Sequence, residues 1–263
     1  MNTRKFLLVV TISLLFILGA CKKEAEEART EEGTAPEAAP AAAIDPATAA
    51  TVTGKVVFQG TAPKGKPIRM DAEPSCVKQH AAPVRSQEVV VNDNGTLRYV
   101  FVYVKQGLGD RTFPAPKEPA ILDQKGCLYI PHVAGLQVGQ ELHVLNSDPT
   151  THNIHPVPKS NREWNESMPP GVGKLVKTFP REELAIPVKC NVHPWMKSYV
   201  SVLKHPFFAV TGSAGTFEIK GLPPGEYVIE AWHEKYGMVE QKVSLAAKES
   251  KTVEFVFKSS AGD

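Results

Sequence analysis

Four side chains have the types and spacing for metal chemistry. The segment 188–199 reads Val-Lys-Cys190-Asn-Val-His193-Pro-Trp-Met196-Lys-Ser-Tyr, with a cysteine, a histidine three residues on and a methionine three further on. These three fall in a turn after an expected strand, and a tight loop of that kind points its side chains at one centre. Thiolate and imidazole suit copper, and a thioether is a weak partner that only a soft metal uses. The fourth ligand has to come from elsewhere in the chain. His152 sits in a polar turn after a strand expected at 141–145, and His155 in the same turn competes with it. Nothing in the chain resembles a nucleophile with its base, a phosphate loop or a catalytic carboxylate pair, so the expectation is that this is not an enzyme.

The elements that must position these residues read as strands throughout. β-branched and aromatic runs occur at 52–58, 88–91, 96–104, 141–145, 175–179, 185–190 and 199–203. Four more lie at 216–219, 227–232, 239–245 and 252–257, and Asn92-Asp93-Asn94-Gly95 predicts a hairpin turn. No segment sustains a helical period, and 71–80 has room for one short turn only. The 22 prolines and 19 glycines fall mostly between the strands, as turn punctuation should, and the expected class is all-β.

Around the candidate ligands the chain resembles the cupredoxins. His152-Asn153-Ile154 is similar to that family's first-histidine motif, and Cys190-x-x-His193-x-x-Met196 to its ligand loop in the short amicyanin form. Val138-Gly139-Gln140, the stretch Asn146-Ser147-Asp148 and the strand at 199–203 are also family-like, over about 80 residues in the right order. The resemblance implies a Greek-key sandwich with one type 1 copper site. Cys190 would supply the thiolate, His152 and His193 would complete a trigonal plane, and Met196 would be the long axial ligand. Asn153 would tie the two ligand loops together beside the sulfur. Pro194 and Trp195 would stiffen the loop and keep water off the metal. His193 would lie at the surface edge, where a redox partner protein would dock.

A second resemblance covers the flanks. The run Gly215-Thr-Phe-Glu-Ile-Lys-Gly-Leu-Pro-Pro-Gly-Glu-Tyr-Val-Ile is similar to the core of carboxypeptidase regulatory-like (transthyretin-like) β-sandwiches. Their first strand usually reads like Thr53-Gly54-Lys55-Val56-Val57-Phe58, far upstream here. The expected organisation is one small sandwich from 51–110 plus 205–258, with the cupredoxin at 111–204 packed with it or inserted into it. A simple tandem is the alternative.

The N-terminus points to export. Arg4 and Lys5 precede an apolar run at 6–20, shorter than a membrane span, which reads as a signal peptide. The run ends in Leu18-Gly19-Ala20-Cys21, which resembles the bacterial lipobox. That resemblance implies a lipid on Cys21 and attachment to a bacterial membrane, on its periplasmic or cell-surface side. Residues 21–50 are charged and then rich in Ala, Pro and Glu, with too little apolar bulk to fold, and are expected to form a disordered tether. With Cys21 assigned to lipid and Cys190 to metal, Cys76 and Cys127 remain. In an oxidising compartment they are expected to pair, the alternative being two buried thiols.

Charge excludes one class of partner. Thirty Lys and Arg against 28 Asp and Glu give a net charge of +2, which offers no basic face for nucleic acid. The expected function is a membrane-tethered one-electron carrier. The alternatives are a copper-binding or trafficking lipoprotein, and a structural surface module with a degenerate cupredoxin domain. His80, His132, His205 and His233 each lie in a turn or at a strand end. They leave open a second metal site or hydrogen bonding between domains.

Overall fold

A computed structural model describes residues 44–259. The expected signal peptide, Cys21 and most of the tether lie outside the described residues. No helix among the described residues is long and apolar enough to cross a membrane. The fold is all-β: the described residues form sixteen strands in four sheets and a single four-residue helix, α1 (Pro74–Val77). The end of the expected tether is tied down. Asp45 accepts the backbone N–H of Ala47 at 2.9 Å, Lys248 donates its N–H to Thr48, and a strand begins at Ala50.

Two sheets make the first sandwich. In one, β1 (Ala50–Gln59) lies between antiparallel β13 (Thr216–Leu222) and parallel β16 (Ser250–Lys258). The other runs β12 (Phe208–Val210), β2 (Phe101–Gln106), β14 (Gly225–His233), β15 (Gly237–Leu245). β1 shows why. Val52, Gly54, Val56 and Phe58 alternate inward while Lys55 and Gln59 face water, the period-2 pattern of a strand with one buried face. Each such apolar side chain removed from water stabilises the fold by about 1.5–3 kcal/mol. Gly54 has no room for a side chain: a Cβ there would sit 2.2 Å from the Val253 carbonyl oxygen.

The second sandwich also has two sheets. One runs β5 (Val133–Gln137), β11 (Lys197–Leu203), β10 (Glu183–Lys189), β7 (His152–Pro156), β8 (Glu166–Met168). The other runs β4 (Tyr129–Ile130), β3 (Ala120–Gln124), β6 (Leu142–Asn146), β9 (Leu175–Lys177). Leu122, Leu136, Leu142, Ile154, Ile186 and Val202 fill its core.

β2 and β11 each serve their own core and a cluster they share. On β2, Val102 and Val104 face the first core, while Phe101 and Tyr103 join Tyr199 and Leu203 of β11, with Trp232, in a third cluster between the sandwiches. A strand covered on both faces reads as a continuous apolar run, which is the character of Phe101–Val104. Gly135 permits the close approach, since a Cβ on it would lie 2.4 Å from the Phe208 ring.

The structure departs from the sequence expectation at the edges of the first sandwich. The expected strand at 88–91 is reduced to a single bridge between Val91 and Leu97. The expected strand at 96–104 breaks at Tyr99, whose φ of 61° turns its ring onto His132 and leaves β2 to start at Phe101. Residues 68–84, expected within the small sandwich, contribute Ile68, Met70, Cys76 and Val84 to the second core, because Cys76 is bonded to Cys127.

Candidate metal centre

Two loops at one end of the second sandwich bring the candidate ligands together. The first joins β6 to β7 and is folded around Asn146. The Asn146 amide donates to the carbonyls of Thr150 and Met168 at 2.9 and 2.7 Å, and its oxygen accepts the N–H of Asp148 at 3.0 Å. His152, expected in a turn, is instead the first residue of β7, paired with Met168 of β8 and fully buried. The second loop joins β10 to β11 and carries Cys190, His193 and Met196. It is closed by backbone bonds from Cys190 N–H to the Met196 carbonyl (3.3 Å) and from Met196 N–H to the His193 carbonyl (2.9 Å). The side chain of Met196 is fully buried in the same core.

Ligand atoms of His152, Cys190 and His193 lie within 4.8 Å of one another. The two histidine Nδ1 atoms face each other at 2.8 Å, and the Cys190 sulfur is 3.8 Å from Nδ1 of His193. Asn153 binds the loops together. Its oxygen accepts the N–H groups of Asn191 (2.5 Å) and Val192 (3.3 Å) and the Cys190 thiol (3.3 Å), while its own N–H points at the sulfur (3.5 Å). The Tyr129 hydroxyl, anchored on β4, donates toward the carbonyls of Asn153 and Lys189 and so bridges the same two strands. His155 faces away, bonded to Glu163 and Asn191, and takes no part.

Asp148, which had no assigned role in the sequence, organises the first histidine. Its carboxylate accepts the N–H groups of Gly126 (2.6 Å) and Cys127 (2.7 Å) and the Nε2–H of His152 (2.8 Å). Gly126 and Cys127 both have positive φ, 65° and 54°, so their successive N–H groups form a concave anion cradle. Burial raises the Asp148 carboxyl, but these three donors outweigh it and hold its pKa below the ordinary value. Burial lowers His152, yet its bonds to Asp148 and Cys190 win and raise it to about 8. The Cys190 thiol is pushed up by burial and pulled down further by His152 and by the N–H groups of Asn153, His193 and Val192. His193 is lowered by burial and by the neighbouring charge of His152.

This electrostatic arrangement fits a cation. With its Nε2–H committed to a carboxylate, His152 in its neutral form presents the lone pair of Nδ1. The Nε2 of His193 faces the sulfur of Cys76 at 3.8 Å, so its Nδ1 is turned toward His152. Two lone pairs opposed at 2.8 Å repel unless a proton or a metal ion lies between them. One thiolate and two imidazoles, with Met196 buried at the end of the loop, form a soft mixed set suited to copper.

The surroundings of His193 differ from expectation. It was expected at the surface edge but is completely buried, covered by the Cys76–Cys127 disulfide and by Trp195, whose ring centre is 5.1 Å away. The disulfide itself was anticipated; its place over the histidine was not. The four histidines left open as a second metal site are bonded separately: His80 to the Gly126 carbonyl, His132 to Glu234, and His205 and His233 to backbone N–H groups nearby. None of the four belongs to a group of three or more candidate metal ligands among the described residues.

No protein-family model matches the chain, and no curated protein matches it. Among solved structures it is similar to a methionine-to-alanine mutant of amicyanin in the Cu(I) form, with a TM-score of 0.29 and 21% identity. That match covers 32% of this chain and 81% of that one. It is also similar to a purple cupredoxin from Nitrosopumilus maritimus, with a TM-score of 0.27 and 21% identity over 32% of this chain and 98% of that one. A copper-containing nitrite reductase from Thermus scotoductus SA-01 gives a TM-score of 0.32 and 14% identity over 57% of this chain and 28% of that one.

Proposed function

We propose that the protein is a type 1 copper protein and a one-electron carrier, exported and held at a bacterial membrane by a lipid on Cys21. The observation that carries this reading is the pair of buried imidazole nitrogens opposed at 2.8 Å beside the buried Cys190 thiol. His152, Cys190 and His193 would hold the copper, with Met196 as a weak fourth partner. When bound, copper supplies a reversible one-electron couple and a covalent thiolate bond for the electron to follow.

The chain's own part is to keep that set in place through both oxidation states. Asn153 fixes the distance between the ligand loops, Asp148 fixes the tautomer of His152, and Tyr129 locks the strands behind them. The centre is sealed by the disulfide and by Trp195, a seal that passes an electron and excludes a substrate; we therefore read a carrier and not an enzyme. A redox partner would dock over this cover, where Trp195 is half-buried and Val192 and Val77 are 49% and 45% exposed. The test is reaction of the copper-loaded full chain with an outer-sphere oxidant, hexacyanoferrate(III), after reduction. The expected result is complete, repeatable bleaching and recovery at one electron per copper; loss of copper on the first cycle would contradict carrier function.

A further inference from the structure

The two bonded cysteines reach the far sides of both histidines, Cys76 directly and Cys127 through Asp148. The Cys76 sulfur lies 3.8 Å from Nε2 of His193. The N–H of Cys127 donates to the same Asp148 oxygen that accepts Nε2–H of His152. The carbonyl of Cys127 also receives the Trp195 indole N–H at 3.1 Å. The disulfide therefore joins a contact on His193, at Cys76, to the backbone groups of Cys127 that hold Asp148 and the aromatic cover, although its two cysteines are 51 residues apart in sequence.

Beyond the disulfide, the segment carrying Cys76 is held to the second sandwich by side-chain contacts from His80 to the Gly126 carbonyl (2.7 Å) and from Gln79 to the Cys127 sulfur (3.8 Å). Residues 71–82 are exposed or half-buried except for Cys76 itself, and α1 is a single turn. A cavity of about 280 Å³ lined by Ile68, Met70, Val77, His80 and Val84 lies beside it. Segments with few buried contacts open locally at low free-energy cost once their anchor is removed. What such opening would uncover is a second set of metal-ligating atoms. Cys127, Asp148 and His152 place one donor atom each within 4.8 Å, and Cys76 adjoins His193.

We propose that Cys76 and Cys127 form a redox-gated metal port: as a disulfide they seal the centre, and as two thiols they bind Cu(I) on its way to Cys190, His152 and His193. The proposal rests on the copper reading above. A dithiol reductant would break the Cys76–Cys127 bond and form its own disulfide, leaving one proton on each protein sulfur. Cu(I) would displace those two protons and bind the paired thiolates, the soft ligands it favours. After the ion moves inward, a disulfide oxidant would take two electrons from the paired thiolates, its own two sulfurs taking up two protons from water, and close the port.

The test is an anaerobic Cu(I) titration of the full, metal-free chain in detergent, using bicinchoninate as competing chromophore. Oxidised protein is compared with protein reduced by dithiothreitol and freed of reagent, and with the Cys76→Ala/Cys127→Ala double variant. The oxidised form is expected to take up one Cu(I) slowly, and the reduced form two. The first ion in the reduced form should load roughly tenfold or more faster, as local opening replaces a sealed cover. The double variant should take up one, at the faster rate. If that variant does not fold, the two forms of the natural chain still decide the matter. A reduced form that binds one Cu(I) overturns the proposal. If neither form binds copper in a Cys190-dependent way, the copper reading itself fails, a different and separable result.

Discussion

His233 in the first sandwich and His152 in the second are equally withdrawn from water, yet their imidazoles are driven in opposite directions. His233 accepts the N–H groups of Lys235 and Tyr236 at 3.2 and 3.4 Å and stacks on the Tyr236 ring. Burial dominates there, and its pKa falls to about 4. His152 is buried as deeply, but Asp148 and Cys190 outweigh the burial and raise it to about 8. The residue type and its exposure therefore say little about its task; the partner decides. In the first sandwich a neutral ring fills space and satisfies a turn. In the second the ring is aimed, with one nitrogen fixed by a carboxylate and the other facing Nδ1 of His193.

The largest effect that sharpens this contrast is mechanical. Phe255 is fully buried in the first core, 5.9 Å from the Phe217 ring. Phe255→Ala should cost about 3–5 kcal/mol of stability in urea unfolding. The folded protein should still bind one copper with an unchanged spectrum; a changed spectrum would show that the two cores do not act separately.

Next comes the carboxylate that aims the ring. Asp148→Asn keeps the shape but removes the charge that commits the His152 proton to Nε2. Copper affinity should fall by about 10–100-fold, the usual cost of losing an outer partner of a metal-bound histidine. Competition with a chelator measures it, and an affinity within twofold of the parent would break the claim that the partner decides.

The smallest effect is the pH dependence of the metal-free chain, and it has two arms. His152 has a raised value, so its stabilisation is complete below its unfolded value of roughly 6.5 and is lost as pH rises through about 8. His233 has a depressed value, so its stabilisation is present above roughly 6.5 and is lost as pH falls through about 4. Urea midpoints should decline in both directions, with the alkaline arm removed in Asp148→Asn and the acid arm removed in His233→Phe. Identical profiles in all three proteins would remove the electrostatic basis of the comparison.

What was legible in the sequence was local. Cys190, His193 and Met196 share one seven-residue loop, so residue type and spacing alone announce a centre, and the alternation of β1 announces a one-faced strand. β5, with a glycine at its middle and cover on both sides, carries no period-2 signal, and neither it nor β3, its ends at Ala120 and Gln124, was anticipated. The pairing of Cys76 with Cys127 followed from counting cysteines, but its place over His193 depends on a contact between residues 117 apart. Asp148 stood four residues before His152 in plain view. Its role appears only when the 126–127 turn folds against it from a different strand pair.

The central claim is that Cys190 and the two aimed histidines make one type 1 copper site, and visible absorption during Cu(II) titration of the metal-free chain tests it most directly, beside Cys190→Ser. The account predicts an intense charge-transfer band that saturates at one copper, bleaches reversibly on reduction and is absent in the variant. A colourless protein, or one that binds copper equally well without the thiol, would contradict it.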